Sequence, residues 1–183
     1  MKKSITTKPT PQNIAAVVGV LAQVPAVLES MSVALRREEL LISIAEGERS
    51  FLETLAHLVN CEARTSEAIY LALLAEEPSV PDLHPERRWG KLMRHEQSDF
   101  GELLAYFAFR RKVLLRVLAE LSEKQWSRVV RQEGKQRRES VYWLARVLAI
   151  HEMEHVAELE SGLSTWPPPT SDDILVSSGP DSP

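Results

Sequence analysis

Val141-Tyr142-Trp143-Leu144-Ala145-Arg146-Val147-Leu148-Ala149-Ile150-His151-Glu152-Met153-Glu154-His155 is the stretch that decides the fold. Val141, Leu144 and Leu148 recur at spacings of three and four, His151 and His155 continue the same stripe, and Leu159 closes it. That period predicts an amphipathic helix from about Ser140 to Ser161, laying one face on other helices. It also turns two imidazoles toward the core. Four residues is just over one helical turn, so both rings leave the same face and can converge on one ion. A buried neutral imidazole needs a partner. A shared metal ion satisfies both rings, and so does a hydrogen-bonded core pair.

The same period recurs three more times. Thr10 caps a first helix with Pro11 at its first position, where a missing N–H costs nothing. Its stripe is Ile14, Val17, Leu21, Val24, Leu28, Met31 and Leu35, with Pro25 inside as a kink or break. Ser50-Phe51-Leu52-Glu53 is a capping box opening a second helix through about Ala75. A third helix, about Ser98 to Leu121, buries Phe100, Leu104, Phe107, Leu114 and Leu118. Ser122 to Gln125 caps one further turn. Pro78, Pro81 and Pro85 mark a connection, with a short helical piece from Glu86. Gly134 marks a turn, and Arg128 to Gln132 reads as extended without a convincing strand partner. Four long amphipathic helices predict an all-α fold, a four-helix bundle over residues 11–163. Residues 1–10 are expected to be flexible, and the Pro/Ser/Asp/Gly-rich residues 164–183 to form a disordered tail.

Composition sets the surroundings. The 183 residues suit one domain, and 26% charged with 44% hydrophobic residues is ordinary globular usage. A net charge of -4 gives no general reason to expect nucleic acid or an anionic membrane as partner. The basic loop Arg128–Arg138 lacks stacking aromatics beyond Trp126 and reads as solvated. With Cys61 alone, no intrachain disulfide forms, which favours a reducing compartment. Met1-Lys2-Lys3 faintly resembles the start of a signal peptide, but polar residues with Pro9 and Pro11 intervene before the apolar stretch. No run reaches the ~20 apolar residues of a membrane span. A soluble cytoplasmic protein is expected, with neither nucleic acid nor membrane as partner.

Other residues carry candidate chemistry. His57 lies off the main apolar stripe of the second helix, on a face with Cys61, Arg64 and Ala68, and periodicity places it at a surface or pocket edge. Cys61, one turn later, either approaches a metal or fills a small gap. Arg111 interrupts the third-helix stripe and needs a carboxylate, carbonyl or anion. Glu62 and Glu158 are the partners considered. His84 and His95 have no neighbour at ligand spacing and read as surface residues. His151-Glu152-x-x-His155 also matches a zinc-protease string, but the downstream ligand that such proteases use is missing. Glu152 is also rotated about 100° from His151, toward Ala145 and Val156.

Taken together, the order of parts resembles the DinB/YfiT-like superfamily of bacterial four-helix proteins. The resemblance spans about residues 11 to 163. It rests on the capped helix running from Ser50-x-x-Glu53 to His57-Leu58, on Arg110-Arg111, and on His151-x-x-x-His155. It implies that His57, His151 and His155 form a metal triad near one end of the bundle, and that the protein forms homodimers. Known members include thiol-dependent transferases and isomerases. The expected cofactor is a divalent ion, zinc or nickel first, with iron or copper also compatible with imidazole.

Three histidines with an open coordination position suit metal-dependent thiol transfer to a small molecule, the partner being a low-molecular-weight thiol. Metal-assisted hydrolysis is the runner-up. The rival from another class is a non-catalytic metal- or ligand-binding stress-response protein, which a fourth ligand such as Cys61 would favour. Arg64 and Arg111 are candidate pocket residues for a substrate carboxylate.

Overall fold

The computed structural model describes residues 5–45, 47–81, 88–134 and 136–165. Of the expected tail 164–183, Ser164 and Thr165 instead belong to the last helix and residues 166–183 lie outside the described residues, as do His84 and the start, at Glu86, of the expected helical piece. Four long helices carry the fold: α1 (Pro11–Ser32), α2 (Phe51–Leu74), α4 (Phe100–Ala119) and α6 (Val141–Thr165). Two short ones, α3 (Gly90–Met93) and α5 (Glu123–Trp126), sit in the connections.

Each long helix starts where its local chemistry directs. The Thr10 hydroxyl accepts from the Asn13 N–H at 3.2 Å, with Pro11 in the first turn. Both halves of the Ser50/Glu53 capping box form. Asp99 accepts from the Gly101 and Glu102 N–H groups. Ser140 Oγ accepts from the Trp143 N–H. Such caps satisfy amide donors that a helix start leaves unpaired.

Helices α1 and α2 each pack against α4 and α6. One apolar cluster joins Val17 and Leu21 to Ile69, Leu114, Val141 and Leu148. The other joins Val24 and Leu28 to Phe51, Leu55, Phe107 and Leu159. The order of these residues along each helix fixes the directions. α1 and α6 run one way, α2 and α4 the other, so α2 and α6 are antiparallel neighbours. The connection from α2 to α4 must therefore travel back along the bundle, and on the way it lays α3 and the 3-10 turn His95–Gln97 against α2.

One expectation needs correcting. A small sheet is present, with β1 (Ser79–Val80) parallel to β2 (Val129–Gln132) and β2 antiparallel to β3 (Arg138–Ser140). The strand at Arg128–Gln132 does have partners, and Gly134 supplies the left-handed turn at φ +74 between β2 and β3. Val80, Trp126 and Val130 bury onto the first cluster. Arg128 ties the sheet to α2 by donating to the Ala72 and Ala75 carbonyls. The segment before α1 is also tied down, since Tyr142 Oη donates to the Thr6 carbonyl at 2.6 Å and Arg146 Nε to that of Ile5 at 2.7 Å.

α1 is long and apolar enough by length and composition to cross a membrane. Here its inward side, Val17, Leu21, Val24 and Leu28, packs into the two clusters.

Candidate metal centre

Helix α2 is buried on nearly every side over its first half, with Thr54 through Glu62 all buried. It is covered by α4, by α6 and by the returning connection. Of the two readings of His57, this removes the surface and leaves the pocket edge. Periodicity reports one covered face, whereas His57 is only 6% exposed. Cys61 follows one turn later on the same helix, and α6 opposite presents His151 and His155 one turn apart. Each of two antiparallel neighbours thus contributes an i,i+4 pair. The group sits where the two apolar clusters meet, with Cys61 in the first and the residues flanking His57 in the second.

The rings close on one another. Centroids lie 5.0 Å apart for His57 and His151, 4.9 Å for His57 and His155, and 4.5 Å for His151 and His155. Nε2 of His57 faces Nε2 of His151 at 2.8 Å. Cys61 Sγ lies 3.5 Å from the first of these nitrogens and 3.6 Å from the second. His155 points Nδ1 at Glu158 Oε2, 2.7 Å away, the arrangement in which a neutral ring donates from Nδ1 and carries its lone pair on Nε2. That Nε2 is buried with no hydrogen-bond partner among the described residues. The ligand atoms of His57, Cys61 and His151 lie within 4.8 Å of one another, a donor set that fits a borderline metal ion, and the His155 ring packs against both of the other imidazoles.

Electrostatics favour the ligating form of His57. Burial, then Arg49 and the other two histidines, pulls its pKa down to about 3, keeping the ring neutral. Glu62, fully inaccessible, is pushed up to about 7 by burial. Arg111 and Arg110 oppose that shift and Glu152 adds to it.

Arg111 does occupy the middle of the α4 stripe, and its partner is Glu152 rather than Glu62 or Glu158. The bidentate pair spans 2.5 and 2.9 Å, and Nη1 also donates to the Leu21 carbonyl at 2.6 Å. Arg111 is therefore an interior strut. The same contact holds Glu152 away from the histidines, in keeping with the rejection of the protease string. Arg64 lines a separate cavity between α2 and the sheet, with Leu71, Val130 and Leu144. His95, expected at the surface, is half-buried beside the Tyr106 ring.

Of the residues singled out from the sequence, then, His57, Cys61, His151 and His155 come together, and Arg64 and Arg111 do not join them. A pocket of about 310 Å³ opens beside His57, lined by Arg49, Glu53, Asn60, Gly90, Lys91 and Glu96. Sequence reasoning missed Arg49 and Lys91, which come from the connections and carry no periodic signal. It also missed the tie from Glu158 to His155, although the three-residue spacing was there to be read.

A sequence model of the DinB superfamily matches residues 10–159. No curated protein matches the sequence. Among solved structures, YfiT from Bacillus subtilis, described as a probable metal-dependent hydrolase with an unusual four-helix bundle topology, superposes with a TM-score of 0.78. The match covers 87% of this chain and 90% of that one at 16% identity, a likeness that establishes the fold. With a family match over most of its length and this bundle as its fold, the chain belongs to the DinB superfamily.

Proposed function

We propose that this protein is a metal-dependent enzyme acting on a small molecule, with His57, His151 and His155 as ligands to a divalent ion and thiol transfer as its chemistry. The observation that carries this is the cluster of His57, Cys61 and His151, whose ligand atoms lie within 4.8 Å of one another beside an open pocket, with the His155 ring packed against both histidines and its Nε2 buried without a hydrogen-bond partner among the described residues. A bound divalent ion would supply Lewis acidity and stabilise a thiolate at neutral pH.

The chain's own residues do the rest. Glu158 orients His155. Arg49 and Lys91 have no carboxylate within ion-pair distance among the described residues, and they offer positive charge to an anionic group of the substrate. Of the carboxylates near the histidines, Glu152 is committed to Arg111, Glu158 to His155 and Glu53 to its capping box, whereas Glu96 lines the pocket itself. The likeness to YfiT is the observation that favours metal-assisted hydrolysis as a second reading.

A lone cysteine suits the cytoplasm. The uncharged outward positions Ala15, Ala16, Ala22 and Ala26 on α1 support pairing with a second copy. Elemental analysis of wild type and of His57→Ala, His151→Ala and His155→Ala tests the centre. About one ion per chain is expected in the wild type, with loss in each variant. Full occupancy in His57→Ala would overturn the triad. Product formation with an electrophile plus a low-molecular-weight thiol, and none with water alone, is expected. The reverse pattern would replace transfer by hydrolysis.

A further inference from the structure

We infer that Cys61 is a fourth ligand to the same ion, so that the resting centre is closed by a thiolate and an external ligand must take the place of Cys61. The inference rests on the metal-binding reading above and extends it to a residue outside the triad.

The geometry is specific. Bonds of about 2.3 Å to thiolate and about 2.05 Å to imidazole make the sulfur–nitrogen edge of a tetrahedral site about 3.5–3.6 Å. Cys61 Sγ stands at 3.5 Å from His57 Nε2 and at 3.6 Å from His151 Nε2. The corresponding nitrogen–nitrogen edge is about 3.3 Å. The 2.8 Å between His57 and His151 therefore opens by about half an ångström on ligation, within reach of small side-chain rotations.

A second, independent feature points to the same ligand set. His155 brings a buried Nε2 with no hydrogen-bond partner among the described residues, its ring packed against those of His57 and His151. Antiparallel packing of α2 and α6 sets the pair His57/Cys61 opposite the pair His151/His155. His57, Cys61 and His151 already hold their ligand atoms within 4.8 Å of one another, and His155 would complete a tetrahedral set from the same two helices without help from a loop.

Closure by Cys61 also changes what the adjoining pocket does. The pocket ends on His57, so a molecule bound between Arg49 and Lys91 meets a complete coordination shell. Only a ligand able to replace a thiolate gains entry, and a second thiol is the best-matched competitor. Water is a poor one. The cysteine thereby acts as a chemical filter at the site.

Cobalt-loaded full-length protein tests this. Wild type is expected to show a thiolate-to-cobalt charge-transfer band before any thiol is added. Cys61→Ser and Cys61→Ala are expected to lose the band while keeping about one ion per chain. The variants should then accept azide, as an open three-histidine site does, at concentrations roughly tenfold or more below those needed for the wild type. In wild type, cobalt should also slow alkylation of Cys61 by iodoacetamide by roughly tenfold or more.

A cobalt protein with full occupancy, no thiolate band and unslowed alkylation would overturn the role of Cys61 while leaving the three-histidine centre intact. Failure of wild type to bind cobalt would defeat both readings together. A thiolate band in wild type, with neither azide nor thiol binding to the Cys61 variants, would keep the fourth ligand and defeat the enzyme.

Discussion

Arg111 supplies the hydrogen bond that Pro25 withholds. An α-helical carbonyl at position 21 would normally accept from the N–H of residue 25, but Pro25 has none. The Arg111 guanidinium donates to that Leu21 carbonyl at 2.6 Å while gripping Glu152 with its other donors. α1, α4 and α6 are thus joined at one buried point, and a helix-breaking residue persists inside α1 because a side chain from another helix completes its ladder. The guanidinium also stacks on Phe107, 4.9 Å from the ring centre.

Removing Arg111 should be costly in a particular way. Arg111→Ala strands a buried carboxylate and an unpaired carbonyl, so urea unfolding should show a loss of about 3–5 kcal/mol. Pro25→Ala restores the local N–H and should recover about 1 kcal/mol in the Arg111→Ala background, but little in wild type. Additive effects in that double-mutant cycle would show that the two residues are not coupled through Leu21.

Glu62 should make the metal-free protein less stable as pH rises. Its folded pKa of about 7 lies above the ordinary 4.5, so the native state holds the proton more tightly than the unfolded chain. Stability therefore falls between about pH 4.5 and 7 and levels off above. Glu62→Gln is expected to match wild type near pH 4 and to exceed it at pH 8 by at most about 3 kcal/mol. Parallel stability curves for the two proteins would contradict this.

His57 works in the opposite sense. Its folded pKa of about 3 lies below the ordinary 6.5, so the unfolded chain takes up a proton first. The contribution is complete above about pH 6.5 and is lost as pH falls toward 3. Stability of metal-free His57→Gln, followed by thermal melts, should depend less steeply on pH than that of wild type across that window. An unchanged slope would mean that His57 is not held neutral.

Glu158 is exposed yet should matter to metal affinity through His155. Glu158→Ala leaves the three rings in place but frees the His155 tautomer and orientation. Zinc affinity measured by competition with a chelator should fall about 10–100-fold. Unchanged affinity would leave the 2.7 Å contact as a surface pairing only.

How much of this was legible in the sequence differs by residue. His151 and His155 could be read directly, because they continue an apolar stripe whose inward sense Leu144, Leu148 and Leu159 fix. His57 could not, since a helix covered on nearly all sides has no dry-versus-wet periodicity to betray one position. Arg111 stood out as a charge in a core stripe, yet Glu152 was invisible as its partner. Helix azimuth placed Glu152 beside Ala145 and Val156, and whether that side faced α4 depended on the packing of whole helices. The sheet was missed for a different reason. β1 has two residues, and its parallel partner lies some fifty positions away, so no local alternation could announce it.

The returning connection between α2 and α4 has a consequence for how such a protein can diversify. Gly90, Lys91 and Glu96 wall the pocket over His57, yet they belong to the part of that connection, residues 90–97, that carries neither the donor atoms nor any member of the main apolar clusters. His57, Cys61, His151 and His155 stand on helices whose other faces are locked in packing. Selection can therefore retailor the entrance by exchanging or lengthening one surface strap, while the donor atoms stay in register and the helices stay folded. Reactivity and preference for a given molecule are inherited on separate stretches of chain, so relatives that share the histidines need not share a substrate.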